Sequence, residues 1–198
     1  MKATTHPEPP AGSLQEVVRP IAVLCAQTNS HYNGMEGVEV FGKERDARTF
    51  AGGMPVIAHP PCRAWSAFCR HQAKPEPGEK ELGLWCVEQV RRWGGILEQP
   101  AHSHLWQAGN LPKPGWTHTA DSWSLEVWQV WWGFFQQKRT WLYLQNISPL
   151  DVKLPFKLHA RGYDKRAWQL SNPTARSKTT PAFARWLVET ARMVGPNA

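Results

Sequence analysis

Apolar residues in this chain fall into short runs separated by polar breaks rich in glycine and proline, and the period of the runs changes along its length. PIAVLCA (20–26) is a β-branched apolar run, the pattern of a strand buried on both faces. VEVFG (38–42) predicts a second strand, followed by the charged patch KERDAR. MPVIAH (54–59) predicts a third, entered through Gly52-Gly53 and stopped by Pro60-Pro61. After the loop KPEPGE (74–79) the period changes to that of a helix: EKELGLWCVEQVRRW (79–93) has Leu82, Trp85, Cys86 and Val90 at helical spacing. Acidic residues open that run and Arg91-Arg92 close it, as the helix macrodipole favours. Gly94-Gly95 end it, and GILEQP (95–100) is a strand that stops at a proline. Strand, loop, helix and strand make the crossover unit of a parallel sheet.

Farther along, SLEVWQVWWG (124–133) predicts a helix, and TWLYLQNI (140–147) a strand in which alternation coincides with β-branched and aromatic residues. Residues 148–178 read as a loop-rich basic segment carrying Lys153, Lys157, Arg161, Lys165, Arg166, Arg176 and Lys178. TPAFARWLVETARMV (180–194) predicts an amphipathic helix with Thr180 as N-cap and Pro181 in its first turn. Residues 1–16, poor in apolar groups, predict a flexible tail ahead of one α/β domain over 17–198. No internal repeat interrupts that domain. The expected architecture is a mainly parallel open sheet, Rossmann-like, with helices on both faces.

Composition narrows the function. The chain has 198 residues, enough for one domain with a real core but too few for two comfortable ones. Twelve tryptophans must mostly line that core, though their faces also suit nucleobase stacking. A formal net charge of +7 favours a polyanionic partner through counterion release, and the sequence leaves protein partners unknown. No apolar run is long enough for a membrane span, and the N-terminal residues lack the apolar stretch of a secretory signal. A cytoplasmic location is expected. Cys25, Cys62, Cys69 and Cys86 follow no tight zinc spacing, and His102 and His104 lack a third ligand nearby, so no metal is expected.

Ligands of an open parallel sheet bind beyond the carboxyl ends of its strands. One predicted strand ends in His59-Pro60-Pro61-Cys62 and another in Glu98-Gln99-Pro100; the last begins straight after Gln136-Gln137-Lys138-Arg139. A thiol, a carboxylate and a basic cluster meeting at one edge make a catalytic set. GGMPVIAHPPCRAWS (52–66) resembles the nucleophile motif of the cytosine-C5 methyltransferases, a Pro-Cys pair after a strand, here with Trp65 and Ser66 in the following positions. LEQP (97–100) resembles that family's Glu-Asn-Val motif, and GFFQQKRTWLYL (133–144) its Gly-x-x-Gln-x-Arg-x-Arg motif. The three occur in the family's order and together cover roughly residues 52–144.

The resemblance implies a DNA (cytosine-5)-methyltransferase-like transferase using S-adenosyl-L-methionine (SAM). Cys62 would attack carbon 6 of the base, Glu98 would contact N3, and Lys138 and Arg139 would stabilise the carbonyl. Pro61, Trp65, Ser66, Pro100 and Gln136 would line the base site, with the target base flipped from its stack. The small size resembles phage-type accessory enzymes, which would work in the cytoplasm of a bacterial host. Two departures stand out. The family's SAM glycine loop is replaced by CAQTNSHYNG (25–34), leaving Cys25, Ala26, His59 and an acidic residue (Glu44, Asp46 or Glu39) as cofactor-site candidates. The last motif is also shifted, Lys138 and Thr140 standing where the family has its arginines, and no room remains for a separate target-recognition domain. Two alternatives therefore stay open: a methyltransferase-fold module that binds DNA or a nucleotide without SAM, and a nucleotide-modifying transferase with another donor.

Overall fold

A computed structural model describes residues 18–67, 74–115, 121–155, 175 and 177–195. The expected N-terminal tail, Cys69 and most of the basic 148–178 segment lie outside the described residues. Six strands form one sheet: β1 (Ile21–Leu24), β2 (Val38–Phe41), β3 (Val56–Ala58), β4 (Gly95–Pro100), β5 (Ser122–Trp128) and β6 (Arg139–Gln145). Their order across the sheet is β2-β1-β3-β4-β6-β5. The ladders joining β2, β1, β3 and β4 are parallel, and β6 runs antiparallel to both β4 and β5. β6 is thus the one strand of the six that runs against the others, and the sheet is mostly parallel but mixed.

Alternation along the strands divides the core in two. Ala22, Leu24, Val56, Ala58, Leu97 and Tyr143 face α1 (Glu79–Trp93), packing with its Cys86, Val87 and Val90 and with Leu105 and Trp106 of the single-turn α2 (Leu105–Ala108). Ile21, Val23, Ile57, Ile96, Leu142 and Leu144 face the other way, toward Phe183, Leu187 and Ala191 of α3 (Pro181–Arg192). Each fully buried aliphatic side chain contributes about 1.5–3 kcal/mol, so β1, β3 and β4, buried on both faces, anchor the domain. The bounds of α1 and β4 match the apolar periodicity, with Gly94 at φ 74° ending the helix where a side chain would be strained. Thr180 caps α3 by accepting a hydrogen bond from the Phe183 amide at 3.2 Å.

Residues 124–133 differ from the expected helix. They form most of β5 and a 3-10 turn, Gln129–Trp132, instead. Trp123, Leu125 and Val127 lie on the α3 side, while Trp106 of α2 donates to the Ser124 hydroxyl at 3.0 Å on the opposite face. That period of two is a strand's, and apolar tryptophans at both parities concealed it. Among the described residues no helix is long and apolar enough to cross a membrane.

Candidate functional site

β3 ends at Ala58, and the amide of His59 donates to the Leu24 carbonyl at 3.0 Å, carrying the ladder one residue beyond the strand. Pro60 and Pro61 then offer no amide donors, so the sheet pairing stops and the chain turns. The next strand holds the turn. The Gln99 amide group donates to the Pro60 carbonyl, while its oxygen accepts from Ser103 Oγ at 3.3 Å. The Trp65 amide closes a turn onto the Cys62 carbonyl at 3.0 Å, and the Trp65 carbonyl accepts from the His104 amide at 2.9 Å. The half-buried Cys62 therefore sits on a short loop tied at both ends, beside the carboxyl end of β4.

Glu98 is buried, 7% exposed, and projects to the α3 side of the sheet as Ile96 does. Its two oxygens have different partners. Oε2 lies 3.1 Å from His59 Nδ1, and Oε1 accepts from Gln129 Nε2 at 3.0 Å. Gln129 also donates to Thr140 Oγ1 at 2.9 Å, and its own buried Oε1 has no hydrogen-bond partner among the described residues. The other ring nitrogen of His59 lies 2.8 Å from the Tyr32 hydroxyl. One tautomer satisfies this chain of groups: Tyr32 donates to Nε2, and Nδ1–H donates to the carboxylate.

The charge state of Glu98 follows from its neighbours. Burial pushes its pKa up, but the Lys138 ammonium, the His59 hydrogen bond and the Gln129 hydrogen bond outweigh that, so the carboxyl is held below its ordinary value. Tyr32 shifts the other way. Burial and the Glu98 charge raise its pKa well above the usual phenol, and it stays neutral.

Of the two basic residues, only Lys138 acts on Glu98. Its ammonium also lies 5.4 Å from the Phe134 ring centroid. Arg139 makes a bidentate ion pair with Glu126 of β5 at 3.0 and 2.9 Å and lies over Trp128. It is on the α1 side of the sheet with Trp141, whose indole donates to the same Glu126 at 2.9 Å. Gln136 is buried, and its carbonyl accepts from the Lys138 amide at 2.9 Å, shaping the entry to β6. Pro100 ends β4 opposite Thr140, and Pro61 and Ser66 are half-buried on or beside the Cys62 loop. Trp65, expected near the base, packs beneath α1 in the core. A Cβ on Gly83 would stand 2.4 Å from its indole nitrogen.

Of the cofactor candidates, Cys25, Ala26 and His59 stand beyond the carboxyl ends of the neighbouring strands β1 and β3, whose register pairs Leu24 with Ala58. Cys25, at φ 60°, has its Sγ 3.7 Å from Cys86 Sγ. Ala26 is buried, and its carbonyl would be 2.7 Å from a Cβ on Gly42, so the ends of β1 and β2 lie close together. Asp46 accepts from the Arg48 amide at 3.0 Å, Glu39 pairs with Arg45 on the surface, and Glu44 is exposed. Tyr32, 1% exposed, fills the space beneath the loop after β1. The first glycine after β1 is Gly34, at φ 80° with open space at its Cβ position, so the residues directly after the strand carry side chains where a SAM glycine loop would have none. Among the described residues no group of three or more His, Cys, Asp or Glu could hold a metal ion.

Sequence reasoning named Cys62, Glu98, Lys138 and His59 as candidates and did not single out Tyr32, Gln99, Ser103 or Gln129, which the structure places in contact with this network. Gln99 adjoins Glu98 and so faces the opposite side of β4, a signal that alternation alone supplies. Gln129 lay inside the misassigned helix. Comparison with models of protein families, with curated proteins and with solved structures finds no match.

Proposed function

We propose that this chain is a Rossmann-like, methyltransferase-type sandwich that carries out covalent chemistry at carbon 5 of a pyrimidine, with Cys62 as nucleophile. One observation carries the reading: the Cys62 loop is tied to β4 through Gln99 and Pro60, beside a buried ionised Glu98 that feels the Lys138 charge. Carbon 5 of a pyrimidine is a weak nucleophile. Addition of the Cys62 thiolate at carbon 6 makes it enamine-like, and the electron pair displaced toward N3 and O2 needs compensation. Lys138 supplies positive charge beside Glu98. The ionised Glu98 accepts a hydrogen bond from an exocyclic amine, which favours cytosine over uracil, whose carbon 4 carries an acceptor. The net charge of +7 suits a DNA or nucleotide substrate.

Thiol addition leaves a donor-independent signature. At carbon 5 the adduct takes up a solvent deuteron and on elimination releases the original proton, so the enzyme exchanges that hydrogen in D2O without turnover. Mass spectrometry of a single-stranded deoxycytidine oligonucleotide incubated with the full chain measures it. Exchange above the protein-free background supports the reading, and none at any pH from 5.5 to 8.5 refutes it.

A second reading concerns the donor, because the loop after β1 fits SAM poorly. Titration calorimetry with SAM separates the cases. Silence with exchange intact means a transferase using another donor. Silence without exchange, alongside oligonucleotide binding that weakens steeply with salt, means a binding module.

A further inference from the structure

We propose that His59 supplies, through Glu98, the proton that the attacked base requires, and that Tyr32 lets His59 change protonation state inside the protein. This rests on the pyrimidine-C5 reading and resolves a conflict within it. Charge developing at N3 calls for a proton, yet Glu98, the carboxyl that the reading assigns to that contact, is ionised at rest. Glu98 can relay a proton but cannot be its source.

His59 is placed to be that source. It touches Glu98 directly, and its side chain is 12% exposed, enough for exchange with solvent. Among the described residues, the titratable and charged groups acting on the pair are Tyr32 from the loop after β1, Glu98 from β4 and Lys138 ahead of β6. Tyr32 is held neutral by burial, so it cannot itself give up a proton. A neutral hydroxyl can instead turn. It donates to Nε2 while His59 carries hydrogen only on Nδ1, and accepts from Nε2–H once His59 is protonated. Neither state leaves a buried ring nitrogen without a partner.

The step balances in one proton. As the Cys62 sulfur bonds to carbon 6, the carbon 5–carbon 6 π electrons are displaced toward N3. His59 first takes a proton from solvent on Nε2; its Nδ1 proton then passes to Glu98, and a proton passes from the Glu98 carboxyl to N3. His59 ends neutral, with hydrogen on Nε2 donated to the Tyr32 oxygen, and Glu98 is ionised before and after. Elimination of the thiolate returns the proton. His59 and Tyr32 are positioning and relay residues, since only Glu98 meets the base.

The test is the carbon-5 deuterium exchange of a single-stranded deoxycytidine oligonucleotide, measured against pH with the full chain. The wild type should give a bell-shaped profile. His59→Asn should slow exchange by roughly 10²–10³-fold and abolish the alkaline limb. Tyr32→Phe removes an acceptor from the charged ring, a stronger bond than the one lost by the neutral ring, so its alkaline limb should move to lower pH. An unaltered alkaline limb in His59→Asn, or a Tyr32→Phe profile superimposed on the wild type, overturns the proton route alone. Absence of exchange in the wild type overturns the C5 reading and the route with it. Nitrogen-15 shifts of His59 in the resting wild type test the same chain without turnover: the Nδ1–H tautomer is expected, and an Nε2–H tautomer contradicts the proposal.

Discussion

Gly83→Ala separates the needs of helix α1 from those of the Cys62 loop. In a helix interior, alanine is favoured over glycine by about 1 kcal/mol, so propensity alone predicts a more stable protein. Here the added Cβ would stand 2.4, 3.1 and 3.3 Å from three atoms of the Trp65 indole. Overpacking of this kind costs about 1–3 kcal/mol, so the net change should be a loss of about 0–2 kcal/mol. Trp65 is 7% exposed, and its backbone is held by the Cys62 carbonyl on one side and the His104 amide on the other. Relief therefore comes through movement of the loop that carries Cys62. Urea unfolding at neutral pH should give a midpoint at or below the wild type with unchanged slope. The rate of Cys62 alkylation, read by peptide mass, should change at least several-fold. A variant stabilised by the full propensity gain with Cys62 reactivity untouched would refute the packing argument.

Glu98→Gln removes a carboxylate whose folded pKa is lowered. Such a group contributes stability that is fully present above its unfolded pKa, roughly 4.3, and is lost as pH falls through the folded value. The melting-temperature gap between wild type and variant should therefore narrow on going from pH 7 to pH 3; a gap independent of pH contradicts the ionised assignment. Lys138→Ala should lower carbon-5 exchange by at least tenfold, through loss of the charge beside Glu98, whereas Arg139→Ala should leave it within about twofold. The exposed Arg139–Glu126 pair should contribute no more than about 1 kcal/mol to stability in a denaturant titration. Equal effects on exchange from both substitutions would contradict the assignment of the two to opposite faces.

Those contrasts mark what the sequence carried. β1, β3 and α1 were legible because their apolar spacing has one period each and their ends are punctuated by glycine or proline. β5 was not, because Trp123, Trp128, Trp131 and Trp132 satisfy helical and strand spacing alike, and pairing with β6 decides between them. The site divides in the same way. Cys62 and Glu98 stand at strand ends, where residue type and position point to chemistry. Tyr32 comes from a loop with no periodic signal, and Gln129 from a turn after the misread strand, so both reach Glu98 and His59 only through the tertiary fold. Lys138 and Arg139 are adjacent in sequence, and only the pleat of the sheet sends them to different faces.

The most direct measurement compares carbon-5 deuterium exchange in the wild type, Cys62→Ala and Cys25→Ser. Exchange by the wild type and Cys25→Ser, with Cys62→Ala reduced to the protein-free background, is the predicted result. Exchange that survives in Cys62→Ala, or that is lost only in Cys25→Ser, would contradict the assignment of Cys62 as the nucleophile.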